Sequence, residues 1–519
     1  MHPTETLIID LFAGPGGLGE GFASFKDENG NYSFKIGVSV EKEASAHRTL
    51  TTRAFFRKIQ HLPKGLESYF KYLKKELTRE ELFSAFPEEA KHAQKETLTK
   101  PCALGEDNEH IHTEIEKLVS GHHGPTVVIG GPPCQAYSLA GRSRNAGITG
   151  YTPETDDRNF LYKEYLNVLS IAKPDVFIME NVRGILSAKV NGSTIFPKIL
   201  EDLQNPGKVT GLTDVPGYKV YSLVVPSKDD SAPSYEKNSD FLIKSEQHGI
   251  PQARHRVILL GVRENIAQVP QILTKFENTV SVMDATSDLP KLRSGFSKRA
   301  DNRNDWERVI SENAKTVKKL LSSKFEPSHV NDLDLQPFEG LSRKEVRKEQ
   351  SNTPKLPPAL LKWITSNSPP VVINHETRGH MESDLLRYSY SAAYTQLSGG
   401  FSPKARDFPS KLAPTHQNWL SGSHADRFRT QAANRASTTV TSHISKDGHY
   451  FIHYDPKQCR SLTVREAARL QTFPDNYFFE GNRTQQYVQV GNAVPPFLAS
   501  QIAKIVRLLI TASNDDNYG

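Results

Sequence analysis

Five short apolar runs constrain the fold of this chain more than any other feature of its sequence. They are TLIIDLF (6–12), KIGVSVE (35–41), TVVIGG (126–131), DVFIMENV (175–182) and RVILLGV (256–262). Continuous apolar runs of this length are typical of strands that are buried on both faces of a parallel sheet. Stretches of helical character, including 160–173 and 196–204, lie between them. The alternation predicts an α/β protein with a doubly wound, mostly parallel sheet.

Three segments depart from this alternation and suggest the domain organisation. Residues 42–105 are too long for one strand-to-strand crossover, and their Lys-, Glu- and Leu-rich sequence predicts a helical insertion. After residue 290 the alternation stops, so we expect a second, smaller domain over 291–435. The alternation resumes in 436–519, where Thr463 and Glu466 form a capping-box pattern at the start of the helix TVREAARLQTF. A final amphipathic helix is expected over 497–510. The predicted domains are therefore 1–290 and 291–435, with 436–519 returning to the first domain.

The excess positive charge of the chain is concentrated in one segment. The whole chain has 65 Lys and Arg against 59 Asp and Glu. Residues 291–440 hold 24 of these basic and 15 of these acidic residues, a net charge of +9, which leaves 41 and 44 elsewhere, a net charge of −3. A basic segment on a near-neutral body suggests a surface that binds a polyanion, although a solvated charged surface would have the same composition.

The three cysteines, Cys102, Cys134 and Cys459, lie far apart and form no pair with metal-ligand spacing. This sparse, odd set predicts no metal centre and favours a reducing compartment, and it leaves any one thiol free for chemistry. The N-terminus lacks a basic segment followed by an apolar run, and no uninterrupted apolar stretch approaches about 20 residues. We therefore expect a cytoplasmic protein with no membrane partner.

A glycine-rich turn follows the first predicted strand, in the sequence DLFAGPGGLG (10–19). Glycines at a strand-to-helix turn let the backbone approach a ligand closely, and the helix N-terminus offers free N–H groups. Glu41 ends the next strand, where a carboxylate typically accepts hydrogen bonds from ribose hydroxyls. These features predict a nucleoside-containing cofactor without specifying which one, because Gly14, Gly16 and Gly19 also match the dinucleotide pattern G-x-G-x-x-G.

Cys134 lies in the motif GGPPCQAYS (130–138), directly after a predicted buried strand. Prolines fix the backbone φ angle, so the thiol leaves the sheet edge in a set direction. That edge is where doubly wound folds bind ligands and carry out chemistry. A lone cysteine is more often an inert core residue, but this rigid lead-in favours a nucleophile. The glycine-dotted loop over 135–150 could then close over a substrate as a lid.

Polar residues at two further strand ends are candidate site residues. Glu180 follows the run DVFIM and could donate a proton or accept a hydrogen bond, although a helix-capping acid is about equally compatible with its position. Arg254 and Arg256 in QARHR lie two residues apart and would point the same way on a strand. Arginine donors suit carbonyl and phosphate oxygens, whereas an isolated pair of this kind could equally form surface ion pairs.

The order of these motifs is more specific than any one of them. DLFAGPGG, GGPPCQAYS, ENV, QARHR, a long basic segment, RSLTVREAARLQTFPD and QVGNAVPP occur in this order. This arrangement closely resembles the C5-cytosine-specific DNA methyltransferase family, in the form found in bacterial restriction-modification systems. The resemblance covers 6–290 and 436–510, and the segment between them occupies the place of the family's target-recognition domain.

The resemblance implies an enzyme that transfers a methyl group from S-adenosylmethionine to carbon 5 of a cytosine flipped out of duplex DNA. Cys134 would be the nucleophile, Glu180 would contact N3 and the exocyclic amine of the cytosine, and Arg256, supported by Arg254, would contact O2. The residues implied for cofactor binding are Phe12, Gly14, Gly17, Glu41, Gly131, Pro133, Leu161, Asn492 and Ala493. The family's adenine-binding acid usually follows the ribose-binding glutamate closely. Since an insertion intervenes here, Asp107 is the candidate. The family also implies a monomer that acts beside a cognate restriction endonuclease.

Three other functions are compatible with parts of the sequence. A nicotinamide-dependent oxidoreductase would explain the glycine pattern and Glu41, but not the PPCQ, ENV and QARHR motifs. A tRNA cytosine-5 methyltransferase of the same fold would not need the large segment 291–440. A non-catalytic DNA-binding regulator is disfavoured because Cys134, Glu180 and both arginines are present.

Overall fold

The computed structural model of the protein describes residues 5–133, 157–190, 192–345, 354–414, 419 and 426–515. Its centre is a seven-stranded sheet. In chain order the strands are β1 (Thr6–Leu11), β2 (Phe34–Val40), β3 (Thr126–Gly130), β4 (Val176–Val182), β5 (Tyr218–Ser222), β6 (Leu242–Lys244) and β7 (His255–Arg263). All five strands predicted from apolar runs are present, whereas β5 and β6 were not predicted.

The strands lie in the order β2-β1-β3-β4-β7-β5, and β6 also pairs with β7. Strands β1 to β4 are parallel to one another. Strand β7 runs antiparallel to β4, β5 and β6, so it alone in this sheet opposes the common direction. The prediction of a doubly wound, mostly parallel sheet is confirmed. Among the described residues, three two-residue strand pairs lie outside this sheet: Lys189–Val190 with Ser193–Thr194, Gln252–Ala253 with Ser437–Thr438, and Gly295–Phe296 with Gly379–His380.

Helices cover both faces of the sheet. Apolar side chains from one face of the strands enter one hydrophobic core, and those from the other face enter a separate core. In chain order the α-helices are α1 (Gly17–Ala23), α2 (Ala44–Ile59), α3 (Gly65–Leu73), α4 (Arg79–Ser84), α5 (Pro87–Glu96), α6 (Asn108–Ser120), α7 (Asp157–Ala172), α8 (Phe196–Gln204), α9 (Pro206–Thr210), α10 (Val282–Thr286), α11 (Arg303–Leu321), α12 (Pro327–Asn331), α13 (Pro358–Thr365), α14 (Glu382–Leu397), α15 (Val464–Leu470), α16 (Arg483–Asn492) and α17 (Pro496–Asp515).

Helices α2 to α5 form the segment between β2 and the turn before α6, where the sequence predicted a helical insertion. Their apolar side chains share a small core that includes the stacked rings of Phe55 and Phe83. The residues from about 296 to 459 build another core, around the buried side chains of Trp306 on α11 and Tyr388 on α14. A separate core within this segment is what an additional domain would require.

The C-terminal helices return to the first part of the chain. Helix α15 begins with the capping box expected from Thr463 and Glu466. Helix α17 packs against α1 so closely that a Cβ atom at Gly21 would lie 2.3 Å from the Cβ of Ala499. In the described chain, Arg483–Thr511 has the length and mean hydropathy (1.4) of a membrane span, but 72% of its most apolar window is buried inside the protein. This degree of burial is that of a core helix.

Candidate active site

A cavity of about 410 Å³ lies at the carboxyl ends of β1, β3 and β4. Strand β2 lies on one side of β1 and β3 on the other, so the chain reverses its winding direction at this edge, where open α/β sheets bind ligands. Most of the side chains and glycines singled out in the sequence line this one cavity: Phe12, Gly14, Gly17, Glu41, Gly131, Pro133, Leu161, Glu180, Arg254, Arg256, Asn492 and Ala493.

The glycine-rich turn and Glu41 form one wall of the cavity. The chain turns sharply after β1, with φ angles of 54° at Phe12 and 57° at Gly14. One carboxylate oxygen of Glu41 accepts a hydrogen bond from the Gly14 N–H at 2.8 Å, and the other accepts from the Glu43 N–H at 2.7 Å. Burial raises the pKa of Glu41, while these N–H donors act against the rise. The carboxylate is therefore held in place with lone pairs left over for a ligand's hydroxyl groups.

Asp10, the last acid of β1 before the turn, is a buried carboxyl on the cavity wall. Neither of its oxygens has a hydrogen-bond partner among the described residues. Burial raises the pKa of Asp10 to about 8. A buried carboxyl without partners is costly to ionise, so Asp10 holds its proton near neutral pH.

Glu180 and Arg256 form an ion pair on the opposite wall. The Arg256 Nε lies 2.8 Å from a carboxylate oxygen of Glu180. Glu180 also reaches over Gly131, since a Cβ atom there would lie 3.0 Å from Glu180 Oε2. The next residue, Asn181, donates to the Pro132 carbonyl at 3.3 Å. These contacts fix the Gly-Pro-Pro segment beside the Glu180 carboxylate, so the ENV and GGPP motifs form one unit.

Arg254 lies behind Arg256 and joins three segments of the chain. Its Nη1 donates to the carbonyl of Val440 at 2.8 Å and to that of Gly491 at 3.3 Å. Burial and the neighbouring Arg256 hold its pKa well below the ordinary value. Its Nε has no acceptor within the described part of the chain, although the residue lines the cavity. Arg254 thus holds the two segments that carry Thr441, Ser442, Asn492 and Ala493 against the cavity.

Two buried glutamines that the sequence did not single out complete this connection. Gln252 accepts a hydrogen bond from the Val440 N–H at 2.7 Å and donates to the Gln471 side chain at 3.0 Å. Gln471 in turn donates to the carbonyl of Val490 at 2.7 Å. Both belong to motifs quoted above, QARHR and RLQTF, but nothing in their spacing indicates that they face each other.

Asp107 is not among the described residues that line the cavity, although it was the candidate for binding adenine. Its carboxylate accepts a hydrogen bond from the Ala103 N–H at 2.8 Å, and the Cys102 N–H donates to the Glu41 carbonyl at 3.0 Å. Cys102, Ala103 and Leu104 line the cavity instead. In this geometry Asp107 supports the wall rather than facing a ligand. The sequence did not indicate this contact, because the helical insertion separates Cys102 from Glu41 along the chain although their backbones are hydrogen-bonded.

Cys134 and the lid predicted over 135–150 lie outside the described residues. Pro133, which precedes Cys134, lines the cavity together with Glu180 and Arg256.

Comparison with known proteins finds related sequences. Residues 104–507 match the family model of the C-5 cytosine-specific DNA methylases. The chain is 33% identical to the type II methyltransferase M.Bpa9945I of Bacillus paralicheniformis, over 97% of this chain and 99% of that protein. It is 27% identical to the type II methyltransferase M1.HphI of Haemophilus parahaemolyticus, over 74% of this chain and 69% of that protein.

A solved structure has a similar fold. It is that of a protein from E. coli, encoded within a prophage and assigned as a DNA modification methyltransferase. The two structures align with a TM-score of 0.53 at 18% identity, covering 98% of this chain and 100% of that chain.

The chain belongs to the C-5 cytosine-specific DNA methylase family. It is a DNA (cytosine-5)-methyltransferase of the kind found in type II restriction-modification systems. The family match removes the nicotinamide-dependent oxidoreductase from consideration.

Proposed function

We propose that this protein methylates carbon 5 of a cytosine within a specific sequence of duplex DNA, through a covalent bond between Cys134 and carbon 6 of a flipped-out base. The observation that carries the proposal is the convergence of Glu180, Arg256 and Pro133 with the glycine-rich turn on one cavity. A flipped cytosine and a nucleoside cofactor would have to meet in such a place.

The residues of the cavity suit S-adenosylmethionine. A Cβ atom built at Gly14 meets nothing within 4 Å, so the glycine-rich turn borders open space. Glu41 would bind the ribose hydroxyls. Phe12, Gly17, Gly131, Pro133, Leu161, Asn492 and Ala493 would complete the pocket. Bound there, S-adenosylmethionine would supply the methyl group as a sulfonium electrophile, with S-adenosylhomocysteine as the leaving group.

Cys134 overcomes the poor nucleophilicity of carbon 5. Its thiolate adds to carbon 6, which breaks the aromaticity of the ring and gives carbon 5 enamine character. Glu180 protonates or hydrogen-bonds N3, where charge develops during this addition, and Arg256 binds O2. After methylation, a base such as water takes the proton from carbon 5, the bond to Cys134 breaks with release of the thiolate, and a proton on N3 returns to Glu180.

Duplex DNA must deform before this chemistry can start, since a stacked cytosine cannot reach the cavity. Flipping the base costs a few kcal/mol of stacking and pairing. We assign the contacts that offset this cost to the segment over 135–150 and to a target-recognition domain over 291–435. The enzyme would act as a monomer in the bacterial cytoplasm, with a restriction endonuclease of the same specificity as its functional partner.

The experiment is to express the protein in a host that lacks cytosine methylation and to map 5-methylcytosine across the host DNA. We expect methylation of one short sequence, which would identify the target. Methyl transfer to tRNA but not to duplex DNA would contradict the proposal and support the RNA-modifying alternative.

The matched variant is Cys134→Ser. We expect it to lose methyl transfer by a factor of at least about 10³, since a hydroxyl is a far weaker nucleophile than a thiolate. Its affinity for S-adenosylmethionine should stay unchanged in equilibrium binding. Full activity in this variant would exclude the covalent mechanism, whatever the substrate.

A further inference from the structure

We infer that the short helical turn Ser442–Ser445 and the Lys446 that follows it bind the DNA backbone beside the flipped cytosine. Lys446 would contact a phosphate within two nucleotides of the target base, and His443 would assist. This inference rests on the proposed function, because it deepens the account of how the same cavity receives DNA.

The position of the turn is the first reason. Thr441 and Ser442 line the cavity that Glu180 and Arg256 also line. Residues 442 to 446 therefore lead away from the cavity wall. Four residues of 3₁₀ geometry span roughly 8 Å, so the Lys446 side chain starts close to the mouth of the cavity.

The exposure of the turn is the second reason. Thr441, His443 and Lys446 are exposed, whereas Ile444 between them is buried. No carboxylate in the described parts of the chain lies within ion-pair distance of the Lys446 ammonium group. The nearest acid in sequence, Asp447, is instead 3.3 Å from Arg427. A lysine that is left uncompensated at the mouth of a DNA-processing site suits a phosphate.

The rigidity of the turn is the third reason. Arg378 donates from one guanidinium to the carbonyls of Ile444 at 2.7 Å and Lys446 at 3.1 Å. Gly491 packs so tightly against the turn that a Cβ atom there would lie 2.2 Å from the Ser442 nitrogen. Arg254 fixes Val440 just before the turn. The inner side of the turn is thus saturated with protein contacts, and its outer side presents side chains in a fixed position.

A preformed donor at this place has a specific use. Flipping a nucleotide rotates the backbone on either side of it, so the adjacent phosphates need partners on the enzyme to hold the flipped state. Because Arg254 and Gly491 link this turn to the segment that carries Asn492 and Ala493, the phosphate contact and the cofactor pocket share one rigid support.

The first test is the salt dependence of duplex binding for Lys446→Gln, measured by fluorescence anisotropy. Loss of one phosphate contact should reduce the slope of log Kd against log salt by about 0.9 and weaken binding severalfold at low salt. Lys446→Arg should restore the slope. The control is Lys208→Gln, which removes a comparably exposed lysine on α9 and should leave the slope unchanged. Affinity for S-adenosylmethionine should be equal in all four proteins.

The second test locates the phosphate. In a duplex that carries the mapped target sequence, each of the four phosphates nearest the target cytosine is replaced in turn by a neutral methylphosphonate. One replacement should weaken binding of the parent protein severalfold but should have no further effect in Lys446→Gln. Additive losses at all four positions, or an unchanged salt slope in Lys446→Gln, would overturn the inference while leaving the proposed function intact. If the parent protein neither binds nor methylates duplex DNA, the proposed function and this inference both fail.

Discussion

Two arginine–glutamate pairs in this protein have the same chemistry and opposite surroundings. Arg460 lies just before α15 and Glu466 lies in the first turn of that helix, and each side chain is 1% exposed. Arg256 and Glu180 border the cavity, with side chains that are 15% and 14% exposed. In the first pair both guanidinium nitrogens Nη1 and Nη2 reach the carboxylate, which also accepts the Thr463 N–H at 2.7 Å. Within the described residues the second pair has one contact of 2.8 Å, from Arg256 Nε to the Glu180 carboxylate, and both side chains line the cavity.

The difference shows how to separate a structural pair from a functional one. Burial alone would raise the pKa of Glu466, but Arg460 outweighs it and holds that pKa far below the usual range. Glu466 therefore remains a carboxylate whose lone pairs are used by the protein. Glu180 retains hydrogen-bonding capacity toward the cavity, which a substrate can use. The number of contacts that a charged group already makes within the protein therefore says more about its role than its membership of an ion pair.

The largest effect on activity is expected for Glu180→Gln. The amide keeps the size of the side chain but cannot donate a carboxyl proton to N3, so kcat should fall by about 10² to 10⁴. The melting temperature should change little, because the pair is partly exposed and contributes modestly to stability. Steady-state methylation of the mapped sequence and thermal unfolding measure the two quantities. A large loss of stability at unchanged kcat would show that the pair of Glu180 and Arg256 is structural, like that of Glu466 and Arg460.

The converse is expected for Glu466→Gln. Removing one partner of a buried ion pair leaves the Arg460 charge uncompensated and should cost about 3–5 kcal/mol of unfolding free energy. The melting temperature should fall by several degrees, while kcat per folded molecule at a low assay temperature stays near the parent value. Thermal unfolding and active-site titration with a cofactor analogue test this. A variant as stable as the parent would show that this pair is not structural.

A smaller effect, which depends on pH, is expected for Asp10→Asn. The pKa of Asp10 is about 8 in the folded protein against 3.8 as the ordinary value, so the folded state binds the proton more tightly. The stability associated with that proton is present at low pH and is lost as pH rises toward and through 8. The variant does not titrate, so its melting temperature relative to the parent should rise between pH 5 and 8.5.

Glu466→Gln is the control for this pH dependence. The pKa of Glu466 is lowered on folding, so its carboxylate is ionised in both states above about pH 5.5, and the difference in melting temperature should be constant there. The measurements are made without cofactor. A difference for Asp10→Asn that does not vary with pH would show that Asp10 is already paired in solution.

The sequence predicts the parts of this fold that depend on local pattern. The five apolar runs became strands because each is long enough to be buried on both faces. Strands β5 (YKVYS) and β6 (LIK) were missed because one mixes apolar and polar residues over five positions and the other has three residues, so neither is a continuous apolar run of strand length. The capping box at Thr463 was predictable because its two hydrogen bonds join residues three apart.

The cavity was predictable to the extent that its residues belong to recognisable motifs. Glu41 follows β2 and Glu180 lies near the carboxyl end of β4, so their place at the sheet edge follows from the topology. The walls formed by 102–104 and 441–442 have no motif of their own, and tertiary contacts alone bring them to the site. The contacts among Gln252, Val440 and Gln471 likewise join positions about 190 to 220 residues apart, which no local pattern encodes.

The packing of α17 on α1 affects how the enzyme matures during synthesis. Gly21 and helix α1 lie against residues that the ribosome adds about 480 positions later, so the side of α1 that packs on α17 stays uncovered until then. At roughly 5–20 residues per second, that delay is on the order of half a minute or more. A chain interrupted before α17 would expose the apolar side of α1 to solvent and to proteases. We therefore expect such fragments not to methylate DNA.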